Sequence, residues 1–290
     1  MSRFSRFAAI DWSGAKGLRH KGIALAVCGK GRDAPTLVPP PGRGWARTEI
    51  CDWVLAQRDD IVIGFDLGPA LPFADRGAYF PGWRESPADA RALWALVDRM
   101  CADEPDLGAA SFADHVEASR HFRRHGGRVG DLFEPGRGRL RATELAQQAQ
   151  GLSPYSNLNL VGAAQVGKSS LTGMRLLHRI DGHVPVWPFD ARAVCGPVVV
   201  EIYTSIAALA GGRTRGRTKM TSFEALNDAL TGPAIGSEPY PASGASDDHS
   251  TDALLSAAWL RANAGRAALW SPPGMSDEIA RTEGWTFGVV

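Results

Sequence analysis

Two apolar segments of this chain end on an aspartate. Phe7-Ala8-Ala9-Ile10 runs into Asp11, and Ile61-Val62-Ile63-Gly64-Phe65 runs into Asp66. A third acidic group, Asp247-Asp248-His249-Ser250-Thr251-Asp252, precedes Ala253-Leu254-Leu255 near the C-terminus. An ionised carboxylate in an apolar setting is costly unless a cation or hydrogen bonds compensate it. Three such places in one chain point to a shared cation site. Two-metal hydrolysis of a phosphodiester needs carboxylates that hold both ions ~4 Å apart. Magnesium takes oxygen ligands and keeps several waters, so three or four carboxylates from different elements suffice.

The elements that must position them follow from the pattern. Asp11 and Asp66 meet if their strands are neighbours with matching ends. A helix opening near Asp248 places Asp248, His249 and Asp252 on one face, since His249 and Asp248 lie three and four residues before Asp252. Glu201 interrupts the apolar run 197–202 and joins the same cluster if it faces inward. Each position also has an ordinary reading. Asp11 and Asp66 can cap the turns that follow them, the helix-start acids suit the macrodipole, and His249 alone is an unremarkable surface residue. Their joint occurrence in this strand order favours a site.

The order begins strand (7–11), strand (22–28), strand (36–38), helix (48–56, with Thr48 as cap and Glu49 in the first turn), strand (61–66). Three strands before the first helix differ from a doubly wound nucleotide-binding opening. Residues 69–150 change character, with helical patterns at 87–102, 111–124 and 142–149, and read as an inserted helical lobe. Then come an extended piece (158–161), a helix (169–180), strands at 184–188 and 198–203, a helix at 221–230, a Gly/Pro/Ser-rich mobile loop (231–246) and a last helix at 248–263.

Several of these segments resemble a bacterial domain-of-unknown-function family regarded as predicted nucleases of the ribonuclease H fold. They are Ala9-Ile10-Asp11-Trp12-Ser13-Gly14, Gly64-Phe65-Asp66, Val200-Glu201-Ile202-Tyr203 and Asp248-His249-Ser250-Thr251-Asp252-Ala253-Leu254. The last is also similar to the final helix of RuvC-type Holliday junction resolvases, in which an Asp or His precedes Asp-Ala-Leu by three residues; His249 and Asp252 fall on that pattern. The resolvases place glutamate on the fourth strand where this chain has Asp66, a shorter ligand. The resemblance spares the insertion. It implies a ribonuclease H-like fold and a metal-dependent nuclease.

A rival motif is Gly162-Ala163-Ala164-Gln165-Val166-Gly167-Lys168-Ser169, which matches the phosphate-cradling G-x-x-x-x-G-K-S. There Lys168 would neutralise phosphate and Ser169 hold magnesium. Against it, Leu158 to Val161 is a weak strand and the match lies in mid-chain after a complete unit. A middle reading keeps Lys168 as a phosphate contact in the carboxylate site.

Net charge is +1, so nucleic-acid affinity must come from local patches. Two exist: Arg120 to Arg141, with seven arginines among glycines, and Arg213-Thr214-Arg215-Gly216-Arg217-Thr218-Lys219. His121 and His125 at i, i+4 lack a third ligand nearby and read as structural. Cys28, Cys51, Cys101 and Cys195 have neither metal spacing nor a disulfide framework. The N-terminal apolar run is too short for a signal peptide, and no stretch approaches ~20 apolar residues.

The expectation is therefore a single cytoplasmic bacterial α/β domain over residues 1–290. It has a ribonuclease H-like mixed five-stranded sheet, flanking helices and a helical insertion at about 69–150. Asp11, Asp66 and Asp252 bind Mg²⁺ or Mn²⁺; Asp248, His249 and Glu201 complete the catalytic set; Ser13, Lys168, Arg215 and Arg217 contact substrate. Nucleic acid, DNA or RNA, is the expected partner, with no membrane association; the oligomeric state stays open, a homodimer being one option. The alternatives are a phosphotransferase or ATPase, using Gly162–Ser169 or an actin-like nucleotide turn at Asp11–Gly14, and a catalytically silent nucleic-acid binder.

Overall fold

A computed structural model describes residues 3–162 and 166–290. Its centre is a mixed sheet of strands β1 (Arg6–Asp11), β2 (Ala24–Gly29), β3 (Thr36–Leu37), β4 (Ile61–Asp66), β5 (Val186–Trp187) and β6 (Val198–Glu201), in the order β3-β2-β1-β4-β6-β5. The β1–β2 and β2–β3 pairs are antiparallel; β1–β4, β4–β6 and β6–β5 are parallel. The first three strands form an antiparallel meander, with β1 and β2 joined by residues 12–23 and β2 and β3 by residues 30–35 and no helix between them. β4 runs parallel to β1 because helix α1 (Arg47–Leu55) carries the chain back.

Six strands replace the expected five. The edge strand β5, only two residues long, falls on the strand expected at 184–188, and it takes the count past five. Leu158 to Val161 is not a sheet strand; Asn159 makes only an isolated bridge to Arg123. Helix α1 starts at Arg47, so Thr48 lies inside it and does not cap it; Glu49 does the end work, its Oε2 accepting from Ala46 N at 2.9 Å.

Both faces of the sheet are covered, which is why its central strands read as unbroken apolar runs. On one face lie Ala8, Ile10, Ile63 and Phe65, under α1, α2 (Ala90–Met100) and α5 (Val166–Ile180). On the other lie Phe7, Ala9, Val62 and Val200, under α8 (Asp248–Asn263), with α6 (Thr204–Ala210) and α7 (Phe223–Thr231) outside it. Sandwiched between sheet and helices, α8 buries most of its circumference. Gly64 permits its approach: a Cβ there would stand 2.7 Å from Ile202 and 2.8 Å from Leu260.

The stretch expected to be an inserted lobe shares the first core: Trp94, Phe80, Phe112 and Phe122 belong to the same buried cluster as Ile10 and Ile63. Its helices are shorter than expected. The pattern at 111–124 gives only α3 (Ala110–Ala113) and a 3-10 turn at Ala118–His121, whereas α4 (Ala142–Ala149) matches its pattern. A ninth α-helix among the described residues, α9 (Asp277–Thr282), closes the chain's end. Parts of the 231–246 loop are tightly packed, with Ile235 and Ser237 buried. No described helix is long and apolar enough to cross a membrane.

Candidate functional site

Asp11 and Asp66 are cross-strand partners. In the parallel register Arg6 pairs with Ile61 and the match runs on to Asp11 with Asp66, so both aspartates leave the sheet at its C-terminal edge on one face, one strand spacing (~4.8 Å) apart. That face is the α8 face, because side chains alternate: Phe7, Ala9 and then Asp11; Val62, Gly64 and then Asp66.

Helix α8 brings the remaining groups. Asp247 is the N-cap, its Oδ1 accepting from Ser250 N at 2.8 Å, so this acid is spent on the helix end. His249 Nδ1 lies 2.8 Å from Asp11 Oδ2, and its Nε2 is 3.9 Å from Asp248 Oδ1. Asp252 is buried, 4% exposed. Asp248 and Asp252 do not stand alone, for Lys219 Nζ bridges them at 3.0 and 2.8 Å.

The electrostatics show crowded negative charge. Burial, reinforced by the charges of Asp11 and Asp252, pushes the Asp66 carboxyl well above the usual range. Burial also raises Asp11, opposed by the His249 hydrogen bond. It lifts Asp252 to about 6 despite the Lys219 ammonium. The hydrogen bond to Asp11 raises the His249 imidazole. At Asp248 burial is outweighed by the Lys219 hydrogen bond and charge, and its pKa falls.

The donor set is hard oxygen, which suits Mg²⁺ or Mn²⁺. Among the described residues, no three His, Cys, Asp or Glu side chains are gathered closely enough to hold a metal as they stand. The Lys219 ammonium bridges two of the carboxylates, Asp248 and Asp252, and marks a place where positive charge is accommodated.

Beside this cluster lies a cleft of about 340 Å³, reached by Ser13, Asp66, Lys168, Tyr155, Tyr203 and His249. Its Trp12-Ser13-Gly14 side is pressed against the start of α5: a Cβ on Gly14 would fall 2.3 Å from the Lys168 carbonyl carbon. Trp12 Nε1 donates to Thr172 Oγ1 at 3.1 Å. Behind the turn, the buried Arg47 donates to the Ser13 and Ala15 carbonyls and fixes its course.

Glu201 lies on the other face of the sheet. It pairs with Phe65, not Asp66, while its neighbours Val200 and Ile202 face α8. Both its oxygens are taken: Arg141 Nη2 and Thr286 Oγ1 donate to Oε1 at 2.6 and 2.9 Å, and Arg141 Nη1 to Oε2 at 3.0 Å. It borders the cleft but does not join the aspartates, contrary to the expectation of an inward-facing member of the cluster. Arg215 is likewise displaced. It is exposed and donates to the Gln150 carbonyl at 3.3 Å, and neither it nor Arg217 borders the cleft.

The basic run at 120–141 is largely internal pairing: Arg120 with Asp131, Arg124 with Asp114, Arg139 with Asp75, and Arg141 with Glu144 and Glu201. His121 packs edge-on against Phe80, and burial drops its pKa to about 4, as a core histidine. The phosphate-cradle motif falls partly on 163–165, outside the described residues. Gly167, Lys168 and Ser169 are already helical in α5, and the strand such a loop requires is missing from the sheet before it.

Sequence reasoning missed Lys219 as a member of the cluster. The signal was its type: it is the one lysine in the run 213–219 and one of five in the chain, against 27 arginines. No family model, curated protein or solved structure matches the chain.

Proposed function

We propose that this chain is a metal-dependent nuclease, hydrolysing phosphodiester bonds of DNA or RNA on a ribonuclease H-like fold. The observation that carries this reading is the in-register pairing of Asp11 and Asp66 at the C-terminal ends of adjacent parallel strands, opposite His249 and Asp252 of α8. Open α/β sheets place their ligands at such strand ends. The meander of β1 to β3, followed through α1 by a parallel β4, is the strand order that a ribonuclease H-like fold calls for.

Asp11, Asp66 and Asp252 would hold Mg²⁺ or Mn²⁺, which when bound supplies Lewis-acid polarisation of the phosphoryl oxygen and a more acidic water. The chain's own groups do the rest. Asp11 accepts from His249 Nδ1 and fixes the tautomer that leaves Nε2 able to take a proton. Water oxygen bonds to phosphorus, the bond from phosphorus to the leaving oxygen breaks, one water proton passes to Nε2, and the leaving oxygen takes a proton from solvent to depart as an alcohol. Ser13 and Lys168 line the same cleft and would bind phosphate oxygens.

The test is cleavage of fluorescent DNA and RNA oligonucleotides, single-stranded, duplex and branched, in Mn²⁺. The native chain cuts at least one, and Asp11→Asn abolishes cutting while its circular dichroism stays native. Undiminished turnover by that variant sinks the assignment. Salt-sensitive binding without cleavage by the native chain would instead make it a silent binder.

A further inference from the structure

The four aspartates of the cluster fall into two unlike halves. Asp11 and Asp66 sit at the strand ends with no protein cation among the described residues bridging them; Asp11 is bonded to the partly exposed His249 imidazole, and Asp66 accepts from Thr204 Oγ1 at 3.4 Å. Asp248 and Asp252, one turn apart on α8, are already bridged by Lys219 Nζ at 3.0 and 2.8 Å.

This lysine is placed by the fold. The residue after it, Met220, is buried, and its carbonyl accepts from Thr251 Oγ1 of α8 at 2.8 Å. The next carbonyl, of Thr221, accepts from Ser246 N at 3.0 Å, just before the Asp247 cap. The backbone beside Lys219 is thus tied to the same helix end that carries Asp248 and Asp252. Its side chain remains 59% exposed, so nothing in the core needs it for packing. An ammonium with three donors, bonded to two carboxylates, occupies the oxygen ligands that a second divalent ion would require.

We infer that Lys219 takes the place of the second metal: the site binds one divalent ion, on the Asp11–Asp66 side, and the ammonium supplies the other fixed positive charge. This rests on the proposed metal-dependent reading; it replaces the two-ion site expected from the sequence and assigns Asp252 to Lys219 rather than to the metal. Lys219 is a positioning residue in this scheme, holding Asp248 and Asp252 and fixing how many ions the cluster accepts.

The experiment is Mn²⁺ titration of the full chain by calorimetry, with electron paramagnetic resonance to separate isolated from paired Mn²⁺. The native chain takes up one Mn²⁺ with an uncoupled spectrum, and Lys219→Arg does the same. Lys219→Ala takes up two, with the splitting of a spin-coupled pair. Adding Asp11→Asn to either background removes the strand-side ion. Two coupled ions in the native chain, or a stoichiometry of one in Lys219→Ala, overturns the inference and leaves the metal-dependent reading standing. No Mn²⁺ uptake by the native chain and by both Lys219 variants overturns both.

Discussion

His249 Nδ1 lies 2.8 Å from Asp11 Oδ2, joining the first turn of α8 to the end of β1 across 238 positions of sequence. The contact orients the imidazole and shares charge with a buried carboxylate. It also couples the two chain ends, so the helix cannot shift along the sheet without breaking the cluster.

That hydrogen bond raises the His249 pKa above its ordinary 6.5. The imidazole accepts a proton only in its neutral form, so Mn²⁺-dependent cleavage is expected to climb with pH through an ionisation above 6.5. His249→Ala should lose that limb and fall by roughly 10²-fold, the lower end of what a positioned base contributes. A pH–rate profile unchanged in shape would remove His249 from proton transfer.

Asp252 has a pKa of about 6 in the folded chain, against about 3.9 unfolded. A raised native value means that the folded state holds this proton more tightly. The stability it brings is full below about pH 4 and is lost as pH rises through about 6. Asp252→Asn cannot ionise. In metal-free buffer at pH 7.5 it should melt above the native chain, by at most roughly 3 kcal/mol, and the gap should close at pH 4. Thermal melts at the two pH values decide it; a variant that melts lower at pH 7.5 refutes the charge-crowding account.

Glu201 and Arg141 form a buried ion pair on the opposite face. Glu201→Gln leaves the guanidinium half-compensated by Glu144 and should cost about 3 kcal/mol in chemical denaturation. Mn²⁺ affinity of the folded variant should match the native chain. Lost Mn²⁺ binding with native stability would return Glu201 to the cation cluster.

Gly14 touches backbone atoms at the start of α5, where a methyl group would sit 2.3 Å from one and 2.4 Å from another. Neither neighbour is a side-chain tip that can rotate away. Gly14→Ala should therefore lower the denaturant midpoint by the equivalent of about 1–3 kcal/mol and reduce cleavage by reshaping the Ser13 side of the cleft. Native stability would mean that the turn and the helix are not packed as described.

Much of the candidate cluster was legible in the chain because its signals are local. An apolar run ending on Asp marks a buried strand whose last residue meets the sheet edge, and this identified Asp11 and Asp66. Helical spacing placed Asp248, His249 and Asp252 together. What linear order specified were periodicity and chemical type, since these depend on neighbours a few residues away. The sheet register alone made Asp11 and Asp66 partners, and the same alternation sent Glu201 to the other face, where one residue of register reverses a side chain. The pairing of Lys219 with Asp252 spans 33 positions, and that of Arg141 with Glu201 spans 60. No local pattern encodes such contacts, because which charge meets which is settled by how the helices and loops pack around the sheet.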